Sequence, residues 1–317
     1  MSYAIVFPGQ GAQEIGMGKD FYDSYSVSRE VFDEADRALG FPLSEMIFAG
    51  TDEELTKTAI TQPALLTMGI AAMTAFDEEL GRSGKKLEPA FYAGHSLGEY
   101  TALVASGVLS LADAVRLVHK RGQLMQSAVP IGRGAMAAVL GLDIDALADI
   151  CRESGGVCGP ANANAPGQVV ISGETDAVDK AGALAKERGA LKVVPLKVSA
   201  PFHCELMRPV ADELEKEFGS LEWHDPSAPI VANADSSLLL RAGAIREALY
   251  RQTYSPVLWA NGVKVMESAG VGLFLEFGPG SVLSGLIKRT VKGIKTQTVG
   301  KLADVAKAIV AVEGVPA

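Results

Sequence analysis

Gly94-His95-Ser96-Leu97-Gly98 has the spacing G-x-S-x-G, directly after the apolar run Ala90–Ala93 and directly before a helix-forming stretch. In that setting the glycines permit a sharp turn that lifts a serine hydroxyl off the end of a strand. The first backbone N–H groups of the helix can then hold an anion beside it. The spacing alone also occurs in ordinary tight turns; the strand before and the helix after favour a nucleophilic Ser96. His95 adjoins the serine, but successive side chains diverge, so it is read as a packed histidine.

A serine nucleophile needs a base. The histidines are His95, His119, His203 and His224. His119 falls on the flank of its helix and His224 in the polar run 222–226. His203, in Ser199-Ala200-Pro201-Phe202-His203-Cys204, follows a strand, and the loop there can return its imidazole to a cleft. Alone it would read as a satisfied histidine; with Ser96 upstream it reads as the base.

Arg121 carries a sharper inference. Leu111–Gln126 reads as a helix opened by Ser110, with Asp113 three residues on. At about 100° per residue, Leu111, Val115, Val118 and Met125 form one stripe, and Arg116 and Lys120 fall opposite it. Arg121 lies at the apolar margin, between Ala114 and Leu117. A guanidinium drawn toward a core must be paired, and its planar fork suits a carboxylate. An internal ion pair to an Asp or Glu is one partner; beside a reactive serine, a substrate carboxylate is the other. Pro8-Gly9-Gln10-Gly11-Ala12-Gln13 is either a glycine-rich connection or a loop presenting an amide N–H to a developing oxyanion. It fails as a dinucleotide fingerprint because Glu14 stands where glycine is needed, and Gly84-Lys85-Lys86 lacks the rest of a phosphate loop.

Short apolar runs alternate with helix-period segments, which predicts an α/β fold. Expected elements are a strand at 3–7, a helix at 26–39, a capping box at Thr51 and Glu54, and the strand at 90–93. From 129 to 197 the order changes to strand 135–140, helix 144–153, strand 157–162, strand 168–172, helix 174–188 and strand 191–198. That βαββαβ order is the ferredoxin-like arrangement, read as a small subdomain inserted into a large hydrolase-like α/β domain of residues 1–128 and 198–317. The large domain is expected to hold a parallel-type sheet and the nucleophile elbow, with later strands at 229–233, 272–277 and 296–299. The tail after Val312 reads as frayed.

The chain has 317 residues, 48% hydrophobic and 21% charged, with a formal charge of −9. That is enough apolar material for a core and excludes a disordered chain. So acidic a protein offers no global field for nucleic acid or an anionic bilayer, so an anionic substrate must meet a local cation. Cys151, Cys158 and Cys204 are too few and too irregular for a disulfide framework or a zinc cage, and no metal or organic cofactor is implied. A reducing, cytoplasmic setting fits. The most apolar stretch, 64–76, follows Gln62-Pro63 and ends at Asp77-Glu78-Glu79, short of the roughly 20 residues a span needs. It is read as a buried helix, and the N-terminus as a strand meeting a Pro-Gly break too early for a signal peptide.

Together these segments resemble the malonyl-CoA:acyl carrier protein transacylases of fatty-acid synthesis and the acyltransferase domains of polyketide synthases. The likeness covers nearly the whole chain. It rests on Phe7–Gln13, Gly94–Glu99, Arg121-Gly122 with Met125-Gln126, Asn164–Gly173, Ala200–His203 and Glu276–Gly280. Several motifs in one order are more specific than any single one. The resemblance implies that Ser96 attacks malonyl-CoA while His203 takes its proton, oriented by the backbone carbonyl of Gln252 rather than by a carboxylate. It further implies an oxyanion hole from the N–H groups of Gln10 and Leu97, Arg121 on the malonyl carboxylate, and Met125 and Phe202 lining the acyl pocket. The partners implied are malonyl-CoA and an acyl carrier protein, with ping-pong kinetics and a monomeric chain, and a basic side chain at the cleft mouth for the CoA phosphates. A stand-alone acyltransferase for a polyketide assembly line is the near alternative. An acyl-thioester hydrolase is the next, though it would place an Asp or Glu in chain order between serine and histidine. A non-catalytic binding module has no use for Ser96, His203 and Arg121 together.

Overall fold

Apolar, β-branched runs bounded by turns form strands where both faces of a sheet are covered. The structure, a computed structural model, describes residues 2–130, 132–198 and 200–314. Its strands are β1 (Ser2–Phe7), β2 (Phe91–Gly94), β3 (Gly134–Leu140), β4 (Cys158–Ala165), β5 (Gln168–Glu174), β6 (Lys192–Pro195), β7 (Ile230–Val231), β8 (Leu238–Leu239), β9 (Val271–Phe277) and β10 (Lys295–Val299). One sheet has the order β10-β9-β1-β2-β7-β8, parallel except for the β7–β8 pair. The sheet is therefore mixed rather than purely parallel, because a short antiparallel strand that sequence reading missed closes one edge. The second sheet, β4-β5-β3-β6, is antiparallel throughout.

The alternation of side chains across the second sheet explains how it is used. Ala137, Val139, Val169 and Ile171 pack against the helices Ile144–Ser154 and Thr175–Glu187. Met136, Ala161 and Val170 face the other way and meet Leu196, Val198 and Phe202. Backbone hydrogen bonds from Ala163 N–H to Val257 O and from Val257 N–H to Ala161 O join this sheet to the larger unit. The expected last strand, 191–198, is cut to Lys192–Pro195, and β4 extends to Ala165 so that the turn is Pro166-Gly167. The last helix runs Leu302–Glu313, past the predicted fraying point; residues 315–317 of that tail lie outside the described residues.

The apolar stretch 64–76 lies in a buried helix, as read, but that helix is longer than the stretch. It is the middle of a 25-residue helix, Thr58–Arg82, with Pro63 inside it. By length and composition this helix could cross a membrane, but 83% of its apolar window is buried within the protein. It packs against the helices Ser26–Leu39, Leu97–Ala105 and Leu111–Ser127. Pro63 has no N–H to donate to the carbonyl four residues back, which would leave Ala59 O unpaired. His119 Nδ1–H donates to that carbonyl at 2.7 Å, so the histidine stands in for the missing backbone donor.

Candidate active site

Ser96 sits between β2 and the helix Leu97–Ala105 with φ 52° and ψ −100°, a left-handed conformation that costs a non-glycine residue energy. Two glycines make the turn possible. A Cβ on Gly94 would lie 2.0 Å from the Gly98 carbonyl, and one on Gly98 would lie 2.0 Å from Phe7 O. The strain is held by Asn233, beyond β7: its Oδ1 accepts from Ser96 N–H at 2.7 Å and its Nδ2 donates to Gly94 O at 2.7 Å.

Ser96 Oγ lies 2.7 Å from His203 Nε2, and His203 Nδ1 lies 2.9 Å from the Gln252 carbonyl oxygen. A carbonyl only accepts, so Nδ1 carries the proton and Nε2 is left to accept from the serine hydroxyl. His203 is 3% exposed, with φ 58°. Burial, followed by the nearby Arg121 cation, holds its pKa down to about 3, so the imidazole is neutral and able to take a proton.

Arg121 is 1% exposed. Its Nη1 donates to Gln62 Oε1 at 2.9 Å, and its Nη2 to Ser96 Oγ and Gln252 Oε1 at 3.1 Å each; its guanidinium lies 5.0 Å from the Tyr100 ring centre. It enters no ion pair among the described residues, so the internal salt bridge is not its partner. Gly122 allows the approach, since a Cβ there would lie 2.6 Å from Ala59 Cα and from Thr58 O. Helix Leu111–Ser127 is thereby pressed against the start of helix Thr58–Arg82, which sets Arg121 beside Gln62.

A cavity of about 230 Å³ opens onto these groups, lined in part by Gln10, Leu97, Met125, Met136, Phe202 and Lys197. Ser96, Arg121 and His203 line it as well, so the sequence-derived residues converge. Gln252 is fully buried behind the wall, joined to the site by its backbone carbonyl and side chain. The backbone N–H groups of Gln10 and Leu97 make no hydrogen bond among the described residues and remain free to donate, whereas that of Ser96 is taken by Asn233. A Cβ on Gly278 would lie 2.5 Å from Pro8, so the late glycine turn seats the loop that carries Gln10. His95 is held by Asn164 at 2.8 Å, while His119 and His224 lie away from Ser96 on other contacts.

Sequence reading missed Gln62, Asn233, Glu99 and Tyr100. Gln62 had a signal, being a polar residue heading a buried apolar run, and Glu99 lay inside the quoted serine motif. Asn233 had none, because its role depends wholly on where β7 ends beside β2.

Among known proteins, the acyl transferase domain family matches residues 4–312. The chain is 47% identical over 309 residues to the malonyl CoA-acyl carrier protein transacylase of Escherichia coli K12, covering 97% of this chain and 98% of that one. It superposes on the acyl carrier protein S-malonyltransferase of Vibrio cholerae with TM-score 0.93 and 45% identity, over 97% of this chain and 100% of that chain. A malonyl-transacylase solved in complex with its type II polyketide synthase acyl-carrier protein matches with TM-score 0.93 and 43% identity, over 98% and 100% of the two chains.

Proposed function

This chain belongs to the acyl transferase domain family, and we propose that it carries a malonyl group from malonyl-CoA to the phosphopantetheine thiol of an acyl carrier protein in fatty-acid synthesis. The acyl group travels as an ester on Ser96. The observation that carries the reading is a buried guanidinium, without an ion-pair partner among the described residues, 3.1 Å from a serine oxygen that is 2.7 Å from a neutral histidine.

Ser96 Oγ attacks the thioester carbonyl as its proton passes to His203 Nε2, and the Gln252 carbonyl stabilises the imidazolium that forms. The N–H groups of Gln10 and Leu97 receive the oxyanion. The carbonyl–sulfur bond then breaks, and His203 returns the proton to the CoA thiolate. The carrier thiol reverses the sequence: His203 takes its proton, sulfur attacks the ester, and Ser96 leaves with the proton restored. A malonyl ester on Ser96 places its free carboxylate two bonds from the ester carbonyl, within reach of Arg121. Acetyl offers nothing to that cation. Met125 and Phe202 bound the acyl group, and Lys197 at the cavity is suited to CoA phosphate.

The strand-to-helix turn at Ser96 acts as a nucleophile elbow, and 129–197 forms a ferredoxin-like insertion within the catalytic domain of 1–128 and 198–317. The antiparallel order β4-β5-β3-β6, with two helices on one face, supports that division. The chain's three free thiols, Cys151, Cys158 and Cys204, suit a reducing cytoplasm. Delivery to a polyketide carrier is the second reading, favoured by the similarity to the transacylase solved with such a carrier.

Intact mass after incubation with mixed acyl-CoAs tests the function. A malonyl adduct that is absent from Ser96→Ala and cleared by holo-acyl carrier protein is expected. An adduct persisting on Ser96→Ala, or lost to water as fast as to carrier, would refute it.

A further inference from the structure

Glu99 and Glu276 are the buried carboxylates among the described residues, and they differ in what they serve. Glu276 accepts from the N–H groups of Leu283 and Ser284, capping the start of the helix Val282–Thr290, and its hydrogen bonds reach none of Ser96, His203, Arg121 or Gln252. Glu99 is fully buried in the first turn of the helix that begins after Ser96. Its Oε2 accepts from Asn233 N–H at 3.1 Å and from Gln252 Nε2 at 3.0 Å, and its Oε1 has no partner.

Those two partners are the residues that hold the reacting groups. Asn233 clamps the strained Ser96, and Gln252 takes the proton-bearing side of His203 on its backbone oxygen. With Nε2 committed to Glu99 and to Ser96 O, the Gln252 amide can turn only its carbonyl toward Arg121. A flipped amide would point N–H groups at a cation. The charge of Glu99 thus lies one amide away from a guanidinium that otherwise has only neutral partners.

Resting on the malonyl-transfer reading above, we propose that Glu99 is a positioning residue that also sets the acyl-carboxylate preference: it orients Gln252 toward Arg121, and its own charge competes with the substrate carboxylate for that cation. Where Glu99 is ionised, the free protein offsets the charge of its buried arginine at one remove. A malonyl carboxylate brings a second anion into the same buried region, and the pair is relieved when Glu99 takes up a proton. Acetyl brings no anion and needs no such uptake.

The groups facing Glu99 are Arg121, Tyr100, Asp235 with its ion-pair partner Arg251, and His203 through Gln252. Burial lifts the Glu99 pKa to about 7 and that of Tyr100 to about 12, while His203 lies far below neutrality. Glu99 is then the member of the group that changes charge near neutral pH. It is neutral below about pH 7 and ionised above, so the preference for malonyl should weaken as pH rises.

The test is the first half-reaction, acyl transfer from malonyl-CoA and from acetyl-CoA to Ser96, followed by quenched intact mass between about pH 6 and pH 8.5. Effects on His203 or on CoA cancel in the malonyl-to-acetyl ratio of kcat/KM. In the unmodified protein that ratio should fall roughly tenfold across the range, as expected for one charge near another in a buried site. In Glu99→Gln, which keeps an oxygen acceptor without the charge, the ratio should stay flat. Glu99→Ala, which frees Gln252, should slow both acyl groups together. A flat ratio in the unmodified protein, or a step that survives in Glu99→Gln, overturns the proposal. Failure to form any malonyl adduct would instead strike at the function itself, so the two failures are separate readouts.

Discussion

Replacing Arg121 with alanine separates a substrate-recognition role from a structural one. The guanidinium is 1% exposed and donates to Gln62, Ser96 and Gln252. Its removal strands the Gln62 and Gln252 carbonyl oxygens, which costs about 1–3 kcal/mol each if no water reaches them. Against a typical stability of roughly 5–15 kcal/mol the protein should remain folded, at a lower melting temperature. The kinetic effect should differ sharply by substrate. Taking away one partner of a buried, hydrogen-bonded charge pair costs about 2–5 kcal/mol, so malonyl loading should fall roughly 30-fold to several thousand-fold. Acetyl loses no partner. Its loading should hold, or rise somewhat, because Arg121 is the second cause, after burial, of the depressed His203 basicity. The assay is stopped acylation of Ser96 with each CoA ester, normalised to folded protein by near-ultraviolet circular dichroism. Equal losses for both esters would show that Arg121 supports the serine and not the acyl carboxylate, and the selectivity argument would fail.

Asn233→Ala removes the clamp on Ser96 N–H and Gly94 O, so both acyl groups should load roughly 10–100-fold more slowly, with the malonyl preference intact; a changed preference would contradict this. His119→Ala leaves Ala59 O without the donor that replaces Pro63, and should cost about 1–2 kcal/mol in urea unfolding while leaving specific activity alone. Unchanged stability there would remove the explanation of the proline. Because His203 is held near a pKa of about 3, it stays neutral above about pH 5 and loses activity only as pH falls through that low value. Acetyl loading should therefore stay within about twofold from about pH 5.5 to pH 8.5, and a histidine limb near 6.5 would show that the site is wetter than its burial indicates.

Much of this protein was legible along the chain. The G-x-S-x-G turn and the arginine at the margin of an apolar stripe announce themselves by spacing, because strand-to-turn-to-helix geometry and helical periodicity are local properties. The change of element order between 129 and 197 was legible for the same reason. His203, by contrast, reads as a base only once Ser96 calls for one. The limits of local reading are equally specific. The buried helix was read from the apolar stretch 64–76, yet it begins at Thr58 and continues through Pro63, where a histidine on another helix supplies the lost hydrogen bond. Arg121 was ambiguous between an internal carboxylate and a substrate, and only its surroundings removed the first choice.

Sequence alone determined which groups could react and the order in which they come, since backbone sterics and side-chain periodicity act over a few residues. Folding decided what those groups would be worth. Gln62, Glu99, Asn233 and Gln252 come from four separate segments and meet around one guanidinium and one strained serine. Their effect depends on burial, where water no longer screens charge, and on which atom of each amide faces which neighbour. Neither property is written in spacing, because both arise from contacts between residues far apart in the chain.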